Sequence, residues 1–188
     1  MTETFKIIGI DPGTNTGVSI YTLALPNFEI IKIETRLYIL KNLVLDPDPM
    51  DIYRNHMYER IKLLYKIIQS LIEEERPLAV AYEAAFMNSK FATAVIQLTQ
   101  YTSTIERAIR DIDTSIKIFK YPPKWIKKYV GAGGTAEKDD MLSNLQAIPV
   151  INNILPLNKL SEHEIDATSI AYVLYNDILI QPWILYML

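Results

Sequence analysis

The sequence predicts an α/β fold in which helices flank a mixed five-stranded sheet. Three strand-like apolar runs joined by short turns fill the first 40 residues, so they should form an antiparallel meander. Beyond them, helical patterns alternate with short apolar runs, as in chains whose strands are connected through helices. The predicted element order is therefore βββαβαβα.

Each element is predicted from its own pattern. The first long helix is predicted from the helical spacing of Ile61, Leu64, Ile68 and Leu71, and Pro77 should terminate it. The expected elements are, in chain order, strands at residues 5–10, 17–25 and 28–40, a helix at 52–74, a strand at 78–82, a helix at 90–112, a strand at 115–119, a short helix at 122–129, a helix at 136–147 and a last helix capped by Ser161. This order is that of an RNase H-like fold.

Composition limits the class of protein and the kind of site. A chain of 188 residues with 49% hydrophobic and 22% charged residues fits one compact domain, residues 1–188. The absence of cysteine excludes disulfides and zinc–thiolate centres, so oxygen or imidazole must hold any metal ion. No apolar run is long enough for a membrane span, and the N-terminus lacks the uninterrupted apolar core of a signal peptide. A soluble, cytoplasmic protein without a membrane partner is therefore expected.

The charges are segregated along the chain, although the net charge is only −3. Residues 117–138 contain six lysines and one acid, Glu137, whereas acids gather at residues 46–51 and 73–75. A single basic face could therefore meet a phosphate backbone. The alternative of a solvated helix face with ordinary lysines stays open.

Two acids occupy strand ends. Asp11 follows the first apolar run and precedes the turn Pro12-Gly13, and Glu83 follows the fourth run. In an RNase H-like sheet these strands are adjacent and parallel, which would bring both carboxylates together. Two Mg²⁺ ions bound there could activate water and stabilise the leaving oxygen of a phosphodiester. Taken singly, Asp11 could be an ordinary turn residue and Glu83 an edge-strand surface acid.

A third cluster lies at the start of the last helix. Ser161 and Glu164 match a capping box, so Glu164 is assigned to the helix terminus rather than to chemistry. His163 and Asp166 are three residues apart and share one face, while Glu162 is a reserve acid. The open alternatives are a surface histidine and an acid placed favourably near the helix dipole.

Four blocks of the chain resemble, in the same order, the RuvC family of Holliday-junction resolvases. The blocks are residues 9–17, 80–87, 127–138 and 163–171. The resemblance implies catalytic and metal-binding roles for Asp11, Glu83, His163 and Asp166, with two Mg²⁺ ions per site. Family members carry Asp or His at the position of His163. Because imidazole suits Mn²⁺ better than Mg²⁺, Mn²⁺ should substitute and support relatively strong activity.

The resemblance also implies DNA contacts. It assigns Lys127 and Lys138 to the DNA backbone and Phe86 to the aromatic that wedges into a junction. The expected DNA-binding residues are Phe86, Lys90, Lys124, Lys127, Lys128 and Lys138. Trp125 should anchor the basic helix to the sheet, with stacking on a base as the alternative. An extra residue within 131–135 and a lengthened acidic loop from Asp46 depart from the family pattern, which leaves open the preference for junction shape and for cutting sequence.

The implied function is a metal-dependent endonuclease that resolves four-way DNA junctions by paired symmetric nicks. Symmetric cutting implies a homodimer. Its two-fold interface would use a stripe on the helix at 90–112, unless that stripe only faces its own sheet; the stripe comprises Ala94, Leu98, Tyr101, Ile105 and Ala108. A phage or other viral source is plausible.

Three other functions are compatible with part of this pattern. The first is a general branched-DNA or Y-fork nuclease, and the second is a junction-binding protein without catalysis. The third is an ATPase of the sugar-kinase and actin type, whose phosphate loop also reads Gly-Ile-Asp-x-Gly-Thr. The third is disfavoured because those enzymes need about twice this length. The apolar residues 178–188 should pack on the core or on the partner subunit.

Overall fold

The computed structural model describes residues 3–40, 56–85, 92–131 and 138–181. Its strands are β1 Thr4–Asp11, β2 Asn15–Ala24, β3 Glu29–Ile39, β4 Ala79–Glu83 and β5 Lys117–Tyr121. Its helices are α1 His56–Glu75, α2 Ala92–Ile112, α3 Pro123–Tyr129, α4 Lys138–Gln146, α5 Pro149–Ile154 and α6 Glu162–Ile180, with a 3₁₀ turn at Leu157–Lys159. The predicted βββαβαβα order is confirmed, with added helical pieces before the last helix.

One five-stranded sheet has the strand order β3-β2-β1-β4-β5. The first three strands are antiparallel neighbours, while β1 with β4 and β4 with β5 are parallel. The last strand lies two residues later than the predicted range 115–119. Its register explains the shift, because Lys117 pairs with Ala79 and Tyr121 with Glu83, so β4 and β5 end level with each other.

The core forms two layers, one on each face of the sheet. Alternation along β1 sends Ile7 to the layer under α6 and Ile8 to the layer under α1 and α2. Both side chains are fully buried. Because helices cover both faces, β1 reads as a continuous apolar run rather than an alternating one.

The predicted beginnings of the two long helices lie outside the described residues. These are residues 52–55 of the expected helix at 52–74 and residues 90–91 of the expected helix at 90–112, and the acidic loop at 46–51 is also outside. On α2, Tyr101, Ile105 and Ala108 are buried, but Ala94 is exposed and Leu98 half-buried. The apolar stripe therefore packs inside this chain only along its C-terminal half.

The acids at the end of α1 are not simply a solvated cluster. Glu75 is buried, with its side chain 4% exposed, and accepts hydrogen bonds from Lys6 at 2.7 Å and from Arg36. Arg36 also contacts Glu74 at 3.0 Å. Burial acts to raise the pKa of Glu75, but Lys6 and Arg36 hold that pKa below its ordinary value. These ion pairs join α1 to β1 and β3.

The C-terminal segment is described as far as Gln181. Ile178 is fully buried in the core layer under α6, as expected, whereas Ile180 is 65% exposed. Residues 182–188 lie outside the described part. Among the described helices, none has the length and apolar character needed to cross a membrane.

Candidate active site at the carboxyl ends of β1 and β4

The ends of two parallel strands place Asp11 and Glu83 at one edge of the sheet. Ile10 pairs with Tyr82, so the next residues of β1 and β4 are the two acids. The side chain of Asp11 is 16% exposed and Glu83 is half-buried. The predicted approach of these acids is confirmed at the level of strand register.

The N-terminus of α6 is fixed by the predicted capping box. The Ser161 backbone nitrogen donates to Glu164 Oε2 at 3.0 Å, and the Glu164 nitrogen donates to Ser161 Oγ at 3.3 Å. Thr35 Oγ1 also donates to Glu164 Oε1 at 2.8 Å, which ties this cap to β3. Burial acts to raise the pKa of Glu164, but the hydrogen bonds from Ser161 and Thr35 keep it below its usual range. Glu164 therefore stabilises the N-terminus of α6, as the capping-box pattern predicted.

Two strand glycines let α6 lie against the sheet. A Cβ on Gly17 would overlap the backbone carbonyl of His163, and a Cβ on Gly9 would overlap the backbone at Ala167 and Ala171. Any side chain at these positions would push the helix away. The sequence analysis included these glycines only within the block at residues 9–17, although glycine inside a strand is itself a signal of close backbone approach.

The close packing of α6 on β1 and β2 places His163 beside Asp11. His163 Nδ1 lies 2.7 Å from Asp11 Oδ2, and the Asn15 side-chain nitrogen lies 3.4 Å from His163 Nε2. The hydrogen bond to Asp11 raises the pKa of His163, while burial acts in the opposite direction. The reserve acid Glu162 lies 3.7 Å from Nε2. Asn15 is a contact that the sequence reading missed, although it stands four residues after Asp11 in the same motif.

The pKa of Glu83 reflects the charges that surround this side chain. Burial, together with the charges of Asp11 and Asp166, raises the pKa of Glu83 to about 7. Lys127 acts in the opposite direction. Three carboxylates and one ammonium group are therefore close enough to interact, and negative charge is in excess.

The donor set fits a divalent cation. Carboxylate oxygens and one imidazole nitrogen are ligands that Mg²⁺ or Mn²⁺ accepts, and a cation would neutralise the charge that raises the pKa of Glu83. Within the described ranges, no three Asp, Glu or His side chains are arranged as the shell of one metal ion. Asp11 is turned toward His163 instead.

The predicted DNA-binding residues fall into three groups. Lys127 is half-buried near Glu83, whereas Lys124 and Lys128 are exposed on α3. Lys138 begins α4, but its side chain is outside the described part, and so are Phe86 and Lys90.

Two side chains near this face differ from expectation. Lys120 donates to Glu106 at 2.9 Å, so its charge is balanced within the chain and the basic face is smaller than the lysine count suggests. Trp125 is 47% exposed, whereas Ile126 is 3% exposed and packs in the core layer. The expectation that Trp125 anchors α3 is wrong, because Ile126 provides that anchor.

Comparison with known proteins supplies the family. The family model described as "Crossover junction endodeoxyribonuclease RuvC" matches residues 7–173. A protein of that name from Ruminiclostridium cellulolyticum is 29% identical over 150 residues, which cover 76% of this chain and 81% of the relative.

Two solved structures share the fold described above. A structure titled "Thermus thermophilus RuvC structure" matches with a TM-score of 0.61 at 20% identity, covering 93% of this chain and 96% of that one. A second, "T. thermophilus RuvC in complex with Holliday junction substrate", has a TM-score of 0.63 at 16% identity and the same coverage. At these identities the structures establish the fold, and the family model establishes the relationship. The chain belongs to the RuvC family of crossover junction endodeoxyribonucleases.

Proposed function

We propose that this chain is a divalent-metal-dependent endonuclease that resolves four-way DNA junctions by paired symmetric nicks, and that residues 1–188 form one nuclease domain. Membership of the RuvC family supports this function, as does the name that its relatives carry. The main structural support for this function is the cluster of Asp11, Glu83 and Asp166. Repulsion among these carboxylates contributes to the pKa of about 7 at Glu83. Strongly raised carboxyl pKa values are concentrated at functional sites, and a divalent cation would relieve the repulsion among these carboxylates.

In this proposal Asp11, Glu83, His163 and Asp166 hold two Mg²⁺ ions, for which Mn²⁺ substitutes. Bound ions of this kind activate a water molecule and stabilise the charge on the leaving oxygen of a phosphodiester. The protein contributes orientation, because Asp11 and Asn15 contact opposite nitrogens of the His163 ring. Lys127 attracts the phosphate to a site where the carboxylates alone would repel it.

The basic face would guide the DNA. Lys124 and Lys128 are exposed on α3, immediately beyond the strand β5 that ends level with Glu83. Their ammonium groups would contact phosphates without reading sequence. The resemblance assigns Lys127 and Lys138 to backbone contacts and Phe86 to a wedge in the junction. Lys90 is a further expected DNA contact.

Paired cutting requires two sites, and we propose a homodimer. Support comes from α2, where Ile96 is 59% exposed, Ala94 is exposed, and Val95 and Leu98 are only half-buried. A second copy of α2 could cover this apolar surface. The interface would then hold the two sites in the fixed relationship that symmetric nicks require.

The test is cleavage of a labelled four-way junction, a Y-fork and a linear duplex, in Mg²⁺ and in Mn²⁺. Paired nicks on the junction should appear with wild-type protein and disappear with Asp11→Asn. The matched control is Asp113→Asn, the same exchange at an exposed carboxylate beside Ser115 in the turn before β5, which should leave cleavage unchanged. Equal cutting of the fork would favour a general branched-DNA nuclease. Junction binding without cutting in either metal would overturn the proposed catalysis and favour a binding protein.

A further inference from the structure

The exposed face of α3 combines one aromatic side chain with two cations. Ile126 and Val130 are buried and fix one side of this short helix to the core. Lys124, Trp125 and Lys128 are exposed on the other side. This face therefore presents an aromatic ring face and two ammonium groups side by side to a binding partner.

Trp125 is held in place rather than left mobile. Its ring stacks on Tyr129 with 5.7 Å between centroids and 30° between planes. The Tyr129 hydroxyl donates to Asp177 Oδ1 at 3.4 Å, and Tyr121 donates to Asp177 Oδ2 at 2.7 Å. Asp177 on α6 thus links the ends of α3 and β5. A planar side chain fixed in this way loses little entropy when a second ring stacks on it.

The charge and position of this face favour a nucleic acid as its occupant. α3 contains no acidic residue, and Lys124 and Lys128 lie one helical turn apart, about 6 Å along the helix axis. The neighbouring Lys127 is near Glu83. The helix begins two residues after Tyr121, which pairs with Glu83, so α3 follows directly from the strand end that lies beside Glu83.

We propose that Trp125 stacks on an unpaired base of branched DNA, while Lys124 and Lys128 contact the phosphates of the same strand. This inference rests on the proposed function and adds a specificity residue to it. Bases inside a linear duplex are already stacked on their neighbours, whereas a branch point or an open fork offers a free ring face. Aromatic stacking on single-stranded bases tolerates any sequence. Trp125 therefore favours branched DNA over linear duplex without preferring a cutting sequence.

The first experiment measures affinity in an Asp11→Asn background, so that the DNA stays intact. Trp125→Leu should bind the open fork and the junction about 5- to 10-fold more weakly, with no change on linear duplex. Trp125→Phe keeps a ring and should retain most of the affinity. Lys124→Gln is the matched control, since it should weaken binding to all three DNAs and reduce the salt slope by about one. The thermal midpoint of each variant monitors folding.

The second experiment follows Trp125 itself. The chain has two tryptophans, so Trp183→Phe leaves Trp125 as the only indole fluorophore. Its emission should be quenched by the open fork and the junction and should change little with linear duplex. Unchanged emission with all DNAs, or an equal loss of affinity on duplex in Trp125→Leu, would overturn the stacking inference. Wild-type affinity in Trp125→Leu would do the same and would leave this face to a protein partner.

Failure of this inference can be separated from failure of the proposed function. If wild-type protein neither cuts nor binds the junction, the proposed function fails, and the inference fails with it. If wild-type protein cuts the junction and Trp125→Leu binds and cuts it equally well, only the stacking inference fails.

Discussion

At the residue scale, the geometry of the candidate site depends on Gly17, because a glycine has no side chain to separate β2 from α6. Its backbone lies directly under that of His163, with no room for a Cβ. The sequence predicted Asp11 and Glu83 because an acid at a strand end has a recognisable position, and the family resemblance added His163 and Asp166. It did not predict this contact or that of Asn15 with His163, because both join residues almost 150 positions apart.

Gly17→Ala should displace the start of α6 and so separate His163 from Asp11. We expect a loss of about 3 kcal/mol in the free energy of unfolding, at the upper end of overpacking effects because the clash is with backbone atoms. Junction cleavage should fall even under conditions where the variant is fully folded. Urea denaturation and a cleavage assay at low temperature measure the two effects.

Gly13→Ala is the matched control for this prediction. A Cβ on Gly13 would lie 3.3 Å from the Asn15 carbonyl oxygen, a tight contact that small shifts of the turn can relieve. It should cost less stability than Gly17→Ala. Equal stability of Gly17→Ala and wild type would show that α6 does not pack as closely on β2 as described.

At the element scale, ion pairs involving one buried acid join α1 to β1 and β3. Glu75 contacts Lys6 and Arg36, whose side chains are 34% and 28% exposed. The sequence showed three acids at the end of a helix but not which one turns inward. Only the packing of α1 across the sheet decides that, just as the register of β5 and the pairing of Lys120 with Glu106 depend on neighbouring elements.

Glu75→Gln should lower the free energy of unfolding at pH 7 by about 1–3 kcal/mol, because Lys6 and Arg36 lose their ionised partner. The folded pKa of Glu75 lies below the reference value of 4.5, so folding favours its ionised form. The resulting stability is fully present above that reference and is lost as pH falls through the lowered pKa. Wild type should therefore lose more stability than Glu75→Gln on acidification below about pH 4.5.

Urea denaturation over a series of pH values checks this prediction. Glu73→Gln is the control, because Glu73 is exposed on the same turn of α1. We expect it to change stability by less than about 0.5 kcal/mol, as surface substitutions usually do. Parallel pH profiles for wild type and Glu75→Gln would contradict an ionised, paired Glu75.

At the scale of the whole molecule, one helix is half inside the core and half outside it. The sequence predicted an apolar stripe along α2 and left open whether the stripe faces its own sheet or a partner subunit. The structure divides the stripe, since Tyr101, Ile105 and Ala108 are buried within the chain while Ala94 and Leu98 are not. Periodicity indicates which residues share a face, but it carries no information on which protein covers that face.

Ile96→Glu should convert the proposed homodimer into monomers, because each interface would then bury two unpaired carboxylates near the two-fold axis. Ile31→Glu is the matched control, since Ile31 is 50% exposed on β3 and Ile96 is 59% exposed on α2. Sedimentation equilibrium should show two chains per particle for wild type and Ile31→Glu, and one for Ile96→Glu. Nicking should continue in the monomer at a reduced rate, but the two cuts in a junction should become independent events. A wild-type monomer, or an Ile96→Glu dimer with coordinated cuts, would contradict an interface on α2.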